Sequence, residues 1–515
     1  MQAEKIFFSL RVLPGQEYRN MKIGGLDIGT TGCKLTVFDE NGKFLDKAYR
    51  SYPSRHGVGE HEIDASYIWE AVQEVMKEIA RKYPDLFGFG ITSFGETFVM
   101  TDEEGKPLCP SMLYTDPRGE EETEKLIQVA GDGKKIAAVT GLKPHSMYSL
   151  PKIMWMKEHR PDIYRKTEHI FLIADYIIYM LTGVRKIDYS LATRTMAFDI
   201  RHLTWSKTLL NAAGVDASLL SEPVRTGSVA GTLRREIAEQ TGFSEDLKII
   251  SVGHDQIACT IGGGAFDSST AVDGAGTVEC MNPVYDSLPD PEAMYRGNFA
   301  VVPYVIPGKY ICYAFSYTGG ALISWCVDTL AKQEKYAAAA LGKSVNQILE
   351  GDYREPTGIL VLPHFAGAAT PYMDSGSKGA ILGLTIGNTV SDIYRACMEG
   401  VVYEMAVNME YLNATGTHFE RMYATGGGAR SSVWMQMKAD VLNVPFTALQ
   451  TKDAGTVGSA MLTGIAAGLF RNLEDAADHM IVKLETYSPR MEMHEKYMQI
   501  YQRYRRVYQA VRPLM

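Results

Sequence analysis

The chain has few of the features that mark secreted, membrane-spanning or nucleic-acid-binding proteins. Its seven cysteines are scattered singly and form no Cys-x-x-Cys pair, so the sequence predicts neither a zinc site nor a disulfide framework. This pattern is typical of a reducing cytoplasm, where we expect the protein to act. No apolar run reaches the ~18–20 residues of a membrane-spanning helix. The formal net charge of −9 and the lack of a basic block argue against nucleic-acid binding.

The start of the chain also lacks a clear targeting signal. Residues 1–20 precede a second methionine, Met21, and hold only a short apolar patch over residues 6–10. They have no long apolar segment and no small-residue cleavage site of the kind that signal peptides carry. We expect these residues to form a poorly ordered extension, and a short amphipathic anchor is the alternative. The rest of the chain is long enough for two or more domains with cores of their own.

A glycine-rich β-hairpin is predicted just after Met21. An apolar run over residues 23–28 carries one acid, Asp27, and leads through Gly-Thr-Thr-Gly to a second strand over residues 34–38. The N–H and hydroxyl groups of this turn can contact a phosphate, and Lys34 can add a cation. Asp27 can hold a divalent metal that the phosphates share. The alternative is an ordinary tight hairpin with a surface aspartate.

Strands then alternate with helices, which predicts an α/β fold. At residue 270 the succession of strand, Gly/Thr turn and strand returns, which indicates a duplication of two related domains. We place the boundary near residues 262–269. The predicted division is an extension at 1–20, a first domain at 21–265, a second domain at 266–470 and a helical tail at 471–515.

The second half repeats one kind of joint, in which a strand passes through glycines into a helix. Glycine lets the backbone approach a ligand, and helix N-termini stabilise anions by about 0.3–1 kcal/mol. One such joint is usually only a tight turn, but several of them together with the first hairpin favour a nucleotide-binding cleft. The joints lie at residues 274–277, 318–320, 426–429 and 455–458.

Asp255 is the candidate catalytic residue. It follows an apolar strand and begins a helix in the segment that joins the two halves. In a structural role it would cap that helix. In a functional role it would be the general base that accepts the proton of an attacking hydroxyl group. Phosphoryl transfer depends mainly on positioning and charge neutralisation, which Asp255 and a metal-linked Asp27 can supply together.

Several polar residues of the first half lie on predicted loops. Glu96, Asp116, Arg118 and Tyr148 can hydrogen-bond a polyol there, and each of them can instead be a solvated surface residue. His254, beside an acid at a strand end, is interpreted as a hydrogen-bonded framework residue and not as a metal ligand.

Taken together, these motifs resemble the FGGY family of carbohydrate kinases, within the actin/hexokinase/heat-shock chaperone ATPase superfamily. The resemblance extends from Met21 to about Leu469, because both the order and the spacing of the motifs agree. The motifs are Gly-Leu-Asp-Ile-Gly-Thr-Thr at 25–31, Gly-His-Asp-Gln at 253–256, Gly-Ala-Gly-Thr at 274–277, Gly-Leu-Thr at 383–385 with Arg395 and Glu399, Gly-Gly-Gly-Ala at 426–429, and Asp-Ala-Gly-Thr-Val-Gly-Ser-Ala at 453–460.

The resemblance implies two ribonuclease-H-like domains that flank a catalytic cleft, with ATP and Mg²⁺ as cofactors. It places the catalytic base on Asp255 and the metal-linked carboxylates on Asp27 and Asp255. The implied sugar contacts are Glu96, Asp116, Arg118, Tyr148 and Asp255. The implied ATP contacts are Thr30, Thr31, Lys34, Gly276, Thr277, Gly320, Ser324, Gly427, Gly428 and Ser432.

Two departures from the family pattern are evident. Glycerol kinases resemble this chain at Glu96 and Tyr148 but carry an arginine where Gly95 stands. Xylulokinases usually have Met-His at positions 95–96, yet their Asp-x-Arg loop is closer to the one here. The usual Gly-Glu-Arg-Thr-Pro appears as Gly-Ala-Ala-Thr-Pro at residues 367–371, which removes an ion pair near the cleft.

We therefore predict an ATP-dependent kinase that phosphorylates a small sugar, a ketopentose such as xylulose in the first place. Glycerol or another polyol is the alternative acceptor, and a homodimer is compatible with the sequence. The non-enzyme alternatives on the same fold are a nucleotide-driven chaperone or filament protein and a sugar sensor. A chaperone would add a peptide-binding domain, for which residues 470–515 are short, and a sensor would lack the base that Asp255 supplies.

Overall fold

The computed structural model describes residues 20–57, 59–351, 355–451 and 453–515. The extension predicted at 1–20 therefore lies outside the described residues, except for Asn20. Along the described part of the chain, no helix combines the length and the apolar character that a membrane crossing requires.

The first half of the chain forms an α/β unit. Its strands are β1 (Ile23–Ile28), β2 (Gly32–Phe38), β3 (Phe44–Ser51), β4 (Arg55–Gly57), β5 (Glu60–Ile63), β6 (Gly88–Ser93), β7 (Phe98–Thr101), β8 (Ser111–Met112), β9 (His169–Leu172), β10 (Lys186–Asp188), β11 (Phe198–Asp199), β12 (Thr204–Trp205), β13 (Glu222–Val224), β14 (Ser228–Thr232) and β15 (Lys248–His254). Its helices are α1 (Ala65–Ala80), α2 (Glu120–Ala130), α3 (Gly133–Thr140), α4 (Ser149–His159), α5 (Pro161–Tyr164), α6 (Ile173–Thr182), α7 (Tyr189–Arg194), α8 (Lys207–Ala213), α9 (Arg235–Thr241) and α10 (Asp255–Gly262), with a short 3₁₀ turn at Ala217–Leu219.

The main sheet of this half has six strands in the order β14-β15-β6-β1-β2-β3. β1 and β2 form the predicted antiparallel hairpin, while β1 and β15 both run parallel to β6. Ser93 at the end of β6 pairs with Ile28 on one side and with His254 on the other. Because the carboxyl ends of these three strands meet at one edge, the residues near those ends come together there.

The second half repeats this plan. Its strands are β16 (Thr270–Ala275), β17 (Glu279–Tyr285), β18 (Ala300–Pro303), β19 (Tyr310–Ser316), β20 (Leu360–Leu362), β21 (Ala380–Leu382), β22 (Arg421–Thr425), β23 (Phe446–Leu449) and β24 (Lys483–Tyr487). Its helices are α11 (Pro291–Arg296), α12 (Gly320–Thr329), α13 (Lys332–Ala340), α14 (Val345–Glu350), α15 (Val390–Asn413), α16 (Ser432–Leu442), α17 (Ala454–Ala466), α18 (Leu473–Met480), α19 (Met491–Tyr504) and α20 (Val507–Val511), with 3₁₀ turns at Gly428–Arg430 and Arg512–Leu514.

The seven-stranded sheet of this half has the order β18-β19-β17-β16-β22-β23-β24. The antiparallel hairpin β16-β17 lies beside the parallel strand β22, just as β1-β2 lies beside β6. This shared arrangement agrees with the duplication inferred from the sequence, and the two-domain α/β fold is the one that was predicted.

Two segments have packing or secondary structure that the predicted division did not describe. Helix α17, which the sequence placed in the second domain, packs on α10, β1 and β6 of the first half. Its Thr463 hydroxyl donates a hydrogen bond of 3.0 Å to the carbonyl of Gly24. The tail at 471–515 is not only helical, because β24 joins the second sheet beside β23. This strand was missed since most of its residues are exposed, so it carries little of the apolar signal of a buried strand.

The apolar core of the second half gathers on the long helix α15. Its Tyr403 is buried against Tyr497 and Tyr501 of α19, with ring centroids 6.1 Å apart in both pairs. Helix α16 packs between α15 and α19. The C-terminal residues are therefore part of this core and support the turn that precedes α16.

Candidate active site

Asp255 begins α10 directly after β15, and the structure gives the capping role to its neighbour. Nδ1 of His254 accepts a hydrogen bond of 3.3 Å from the backbone N–H of Gln256, so His254 caps the helix. Oδ1 of Asp255 lies 3.2 Å from the same Nδ1 but accepts no hydrogen bond. That oxygen is buried, while 36% of the side chain is exposed. The carboxyl group is therefore held at the edge of the sheet with Oδ1 unpaired.

The environment of Asp255 favours the protonated carboxyl group. Burial, together with the negative charges of Asp27 and Glu96, raises the pKa of Asp255 to about 7. Burial and the positive charge of Arg194 hold the pKa of His254 well below its usual value, so this imidazole is neutral. A carboxyl group with a pKa near neutrality is well matched to general-base catalysis.

Asp27 and Asp255 lie within electrostatic range of each other, as the two-acid interpretation requires. The start of α17 lies between them. A Cβ atom built on Gly455 would be 3.5 Å from Oδ2 of Asp27 and 3.6 Å from Sγ of Cys259. Cys259 lies one turn after Asp255 on α10. The two aspartates thus lie on elements that pack together at this edge of the first sheet, and the space between them is called the crevice below.

Asp27 is part of a cluster with Lys34 and Asp453. Nζ of Lys34 lies 3.4 Å from Oδ2 of Asp27 and 2.8 Å from Oδ2 of Asp453. Burial works against the charged form of Lys34, but the two carboxylates outweigh it and raise its pKa. Burial and the charge of Asp453 raise the pKa of Asp27, although Lys34 opposes this effect. The single positive charge of Lys34 faces two carboxylates, so the cluster keeps negative charge that can attract a bound cation.

The donor set of this crevice suits Mg²⁺ that is shared with phosphates. Magnesium usually takes one or two protein carboxylates and completes its shell with water and substrate phosphates. Asp27 and the unpartnered oxygen of Asp255 offer such a set. Among the described residues, a grouping of three metal-binding side chains occurs only elsewhere, at Glu122, Glu158 and His159.

Glu96 is held by a buried ion pair with Arg194, which the sequence analysis did not single out. Nε and Nη2 of Arg194 both contact Oε1 of Glu96, the first at 2.5 Å. The guanidinium carbon lies 5.1 Å from the ring centre of Tyr148 and 5.6 Å from that of Tyr313. Glu96 has a φ of 65°, in the left-handed region that residues with a side chain seldom adopt. Such a conformation persists only where the surroundings impose it.

Two further tyrosines face the same acids. Burial and the charges of Glu96 and Asp255 raise the pKa of Tyr114, and burial and Glu96 raise that of Tyr317. Tyr114 belongs to the first half of the chain, whereas Tyr317 directly follows β19 of the second. The pocket around Glu96 is therefore formed by both halves.

Asp116 and Arg118 are joined to each other. Oδ1 and Oδ2 of Asp116 accept hydrogen bonds from Arg118, and Oδ2 also accepts one from the backbone N–H of His61. Arg118 donates to Glu62 as well, at 2.7 Å. Nζ of the buried Lys152 donates to the carbonyls of Asp116 and Arg118, and burial lowers its pKa to about 8. The side chain of Asp116 is fully covered.

The tip of the first hairpin is a firm turn. The N–H of Gly29 donates to the carbonyl of Gly32 at 3.0 Å, and the Tyr52 hydroxyl donates to the carbonyl of Gly29 at 2.5 Å. Thr31 is exposed at this tip and Thr30 is half-buried. Both threonines are thus accessible at the tip of the hairpin that carries Asp27.

Three glycine turns meet around the tip of the second hairpin. The N–H of Gly320 donates to the carbonyl of Gly276 at 2.9 Å, and the N–H of Ala321 donates to that of Thr277 at 3.0 Å. A Cβ atom on Gly426, whose φ is 91°, would lie 2.6 Å from the carbonyl oxygen of Ala275. Only glycine permits this approach. The joints at 274–277, 318–320 and 426–429 are therefore one surface.

The predicted ATP residues of the second half lie on or next to this surface. Gly276, Thr277, Ser324, Gly427 and Ser432 are exposed, and Gly320 and Gly428 are half-buried. Gly320 begins α12 and Ser432 begins α16, so the N-termini of two helices lie next to the hairpin tip, and the first N–H groups of α12 are bonded to the hairpin carbonyls.

The departure from the family pattern over residues 367–371 lies in a segment that is held by backbone pairing. The N–H of Ala368 donates to the carbonyl of Asp374 at 2.9 Å, and the N–H of Asp374 donates back at 3.0 Å. Ala368 and Ala369 are both buried. The small side chains allow this close bridge.

Several side chains of the site carried no signal that sequence reasoning used. They come from a short helix, from one strand of the second sheet and from loops, and only the fold brings them to the acids. Asp453 was quoted within a motif but was not proposed as a site residue. These residues are Tyr114, Arg194, Tyr313, Tyr317 and Asp453.

Comparison with known proteins gives the same family for both halves. Residues 22–262 match the model of the FGGY family of carbohydrate kinases, N-terminal domain, and residues 274–467 match that of the C-terminal domain. The chain is 25% identical over 476 residues to xylulose kinase from Bacillus subtilis (strain 168), covering 91% of this chain and 93% of that protein. It is 28% identical over 471 residues to glycerol kinase from Lactococcus lactis subsp. lactis (strain IL1403), covering 88% and 91%.

A solved structure shows the same fold. The crystal structure of gluconate kinase from Lactobacillus acidophilus superimposes with a TM-score of 0.86 and 23% identity, covering 96% of this chain and 98% of that one. The relatives therefore agree on the reaction class and differ in the acceptor. The chain belongs to the FGGY family of carbohydrate kinases, which are phosphotransferases with an alcohol group as acceptor.

Proposed function

We propose that the protein transfers the γ-phosphoryl group of ATP to a hydroxyl group of a small neutral sugar, a ketopentose such as xylulose in the first place. The observation that carries this proposal is the position of Asp255, whose carboxyl group has an unpaired Oδ1 and lies within electrostatic range of both Glu96 and Asp27. A base at this point has an acceptor site on one side and a phosphate site on the other.

Each residue has a role in this proposal. Asp255 accepts the proton of the attacking hydroxyl group, and Glu96 and Tyr148 orient the acceptor. Asp27 holds the metal side of the donor, and Lys34 contacts its phosphates. The remaining ATP contacts are proposed at Thr30, Thr31, Gly276, Thr277, Gly320, Ser324, Gly427, Gly428 and Ser432.

Mg²⁺, held by Asp27 with Asp255, would neutralise the charge of the phosphates when ATP is bound. The chain's own contribution is to keep one lysine between two acids at the hairpin, so that this end of the crevice stays receptive to a cation. At the other end, burial keeps the Asp255 carboxyl group ready to take up a proton near neutral pH.

We propose that Asp116 and Arg118 maintain the shape of the loop that borders the acceptor pocket. The Asp116 carboxylate has no free surface, and its oxygens are taken by Arg118 and by a backbone N–H group. Lys152 fixes the loop through two carbonyls. These residues support the pocket wall without offering the sugar a free carboxylate.

The charges around the pocket favour a neutral acceptor over an aldonate. Arg194 is neutralised by Glu96, and Arg118 is paired with Asp116 and Glu62. Asp255 and Asp27 add negative charge. An acceptor that carries a carboxylate would meet repulsion with no free arginine to offset it.

Glycerol is the second candidate, because Glu96 and Tyr148 follow the glycerol kinase pattern and one glycerol kinase is 28% identical to the chain. The arginine of that pattern does not fit at position 95. A Cβ atom on Gly95 would lie 2.7 Å from Cδ2 of His254 and 3.2 Å from Cγ of Arg194. Any side chain at position 95 would meet this crowding, the methionine of the xylulokinase pattern included, so Gly95 does not discriminate between the two acceptors.

A screen of acceptors tests the proposal. ADP formation with ATP and Mg²⁺ is measured for pentuloses, hexuloses, aldonates and polyols. We expect the largest kcat/KM for a ketopentose and at least about a tenfold lower value for every aldonate. Asp162→Asn, an exposed aspartate on α5, serves as the control variant. Preference for an aldonate, or no acceptor-dependent ADP at all, would contradict the proposal.

A further inference from the structure

We propose that Arg194 determines acceptor specificity as a positioning residue, by presenting Glu96 to the acceptor as a neutralised group with one free oxygen. This inference rests on the proposed function, since it concerns the same pocket. It is argued from the contacts of Arg194 with Glu96, with two tyrosine rings and with the segment that holds Asp255.

The first step is that the ion pair occupies only one of the two oxygens of the Glu96 carboxylate. Nε and Nη2 of Arg194 both contact Oε1. No hydrogen bond to Oε2 is found within the described residues. A bidentate pair that spans both oxygens would occupy the carboxylate, whereas this arrangement leaves Oε2 able to accept a bond from a hydroxyl group.

The second step is that Arg194 cannot easily turn away. The residue is 6% exposed. Its guanidinium group lies over the rings of Tyr148 and Tyr313, which come from different halves of the chain. Nη1 is buried without a hydrogen-bond partner. A packing that accepts an unpaired donor to keep the guanidinium group in place indicates that its position matters to the site.

The third step connects this pair to the base. Arg194 ends α7, and the buried Asp188 caps the start of that helix through the N–H groups of Ser190 and Leu191. The hydroxyl of Ser190 accepts a hydrogen bond of 3.0 Å from the N–H of His254, next to Asp255. One short helix therefore sets the acceptor side chain and the segment of the base relative to each other.

The chemical consequence is a preference for hydroxyl groups. With its charge offset by Arg194, Glu96 offers one acceptor atom and no net charge, which suits an alcohol and gives no attraction to a carboxylate. Removing either charge alone should change the class of acceptor that binds, and removing both should leave a weak but neutral pocket.

The experiment measures KM for the acceptor and for ATP, and the ratio of kcat/KM for the ketose and an aldonate. Arg194→Met should raise the acceptor KM about 10–100-fold with the ATP KM unchanged, and Arg194→Lys should recover part of this loss. Arg234→Met is the matched control, because Arg234 lies 5.0 Å over the ring of Tyr179, outside the pocket.

Glu96→Gln gives the sharper outcome. It leaves Arg194 as an unpaired cation, and the aldonate-to-ketose ratio should rise at least about tenfold. The gain should vanish in the double variant Glu96→Gln with Arg194→Met. An unchanged acceptor KM in Arg194→Met and an unchanged ratio in Glu96→Gln would overturn the inference.

The two proposals fail in different ways. A wild-type protein that phosphorylates no sugar refutes the proposed function. A wild-type protein that is active while both the acceptor KM and the ratio stay the same in the variants refutes the role of Arg194 alone. If Arg194→Met does not fold, the ratio in Glu96→Gln decides, because that variant keeps the size and shape of the side chain.

Discussion

The two glycine-turn hairpins have the same place in their sheets but use their acidic residues in opposite ways. In the first, Asp27 is 24% exposed at the crevice and shares Lys34 with Asp453. In the second, Asp273 is 3% exposed and lies 2.6 Å from Nζ of the buried Lys438 on α16. The first hairpin leaves its acid accessible at the crevice, and the second uses its acid to attach itself to a helix.

A second acid completes the buried group. Lys438 also contacts Glu279, and burial together with the charge of Asp273 raises the pKa of Glu279 well above its usual value. The partner element decides the outcome in each case. The N-terminus of α17 brings another acid to the first hairpin, whereas α16 brings a lysine into the core beneath the second. Similar local sequences thus give an accessible acidic cluster in one half and a buried ion cluster in the other.

The different roles of the two hairpins are tested most strongly by neutralising Asp27 and Asp273 in turn. Asp27→Asn should lower kcat about 10²–10³-fold, because the phosphate side of the crevice loses its carboxylate. Asp273→Asn should leave kcat per folded molecule nearly unchanged. Turnover and thermal melting of both variants are the measurements. Equal losses of kcat would contradict the division of roles.

The second prediction concerns the two lysines. Lys438→Met should destabilise the protein by about 3–5 kcal/mol, since it leaves two carboxyl groups buried without a cation. Lys34→Met lies at a partly exposed position and should cost about 1 kcal/mol or less, while it raises the KM for ATP. Urea unfolding and ATP kinetics separate the two effects. A Lys438→Met variant as stable as the wild type would mean that the buried cluster contributes nothing to the free energy of unfolding.

A smaller effect is expected when all three buried charges are removed. The triple variant Asp273→Asn, Glu279→Gln and Lys438→Met should regain most of the stability that Lys438→Met loses, because no buried charge is left unpaired. Urea unfolding of the single and triple variants is compared. A triple variant that is less stable than the single one would show that the carboxyl groups have other partners.

The pH dependence sharpens the comparison further. The base must be ionised to act, so kcat/KM should rise with pH through an acid limb near pH 7, the pKa of Asp255. The charge of Asp27 raises that pKa, so Asp27→Asn should move the limb to lower pH in its residual activity. Asp273→Asn should not move it. If the acid limb stays at the same pH in Asp27→Asn, the charge of Asp27 does not affect the pKa of Asp255.

The same raised pKa makes a small prediction about stability. The pKa of Asp255 is higher in the folded than in the unfolded protein, so the fold favours the protonated carboxyl group and loses this stability as the pH rises through 7. Asp255→Asn should therefore melt at a higher temperature than the wild type at pH 8, with the difference shrinking toward pH 5. A difference in melting temperature that grows as the pH falls would contradict this prediction.

Much of the fold was predictable because its signals are local. The first hairpin and the strand that leads to Asp255 both appear where they were predicted. The alternation of polar and apolar residues, the glycine turns and the helical period of apolar residues are patterns that extend over only a few residues. The packing of α17 on the first sheet was not predictable, because a helix of small residues carries no mark of which sheet it covers.

The site was predictable only in part. Motifs point to Asp27, Asp255 and the glycine turns, since the backbone geometry they need requires particular residue types. Arg194 and Tyr313 follow no motif, and only the topology brings α7 and β19 to the same pocket. The assignment of roles to the site residues, the cytoplasmic location and the homodimer stay predictions.

The most direct test compares transfer and binding in Asp255→Asn. ATP and Mg²⁺ binding is measured by calorimetry, and sugar phosphate formation from ATP and a ketopentose is measured in the same preparation. The account predicts that ATP still binds through Asp27, Lys34 and the glycine turns, and that turnover falls about 10²–10⁴-fold because the proton acceptor is missing. Turnover equal to that of the wild type would remove Asp255 from the mechanism and contradict the account.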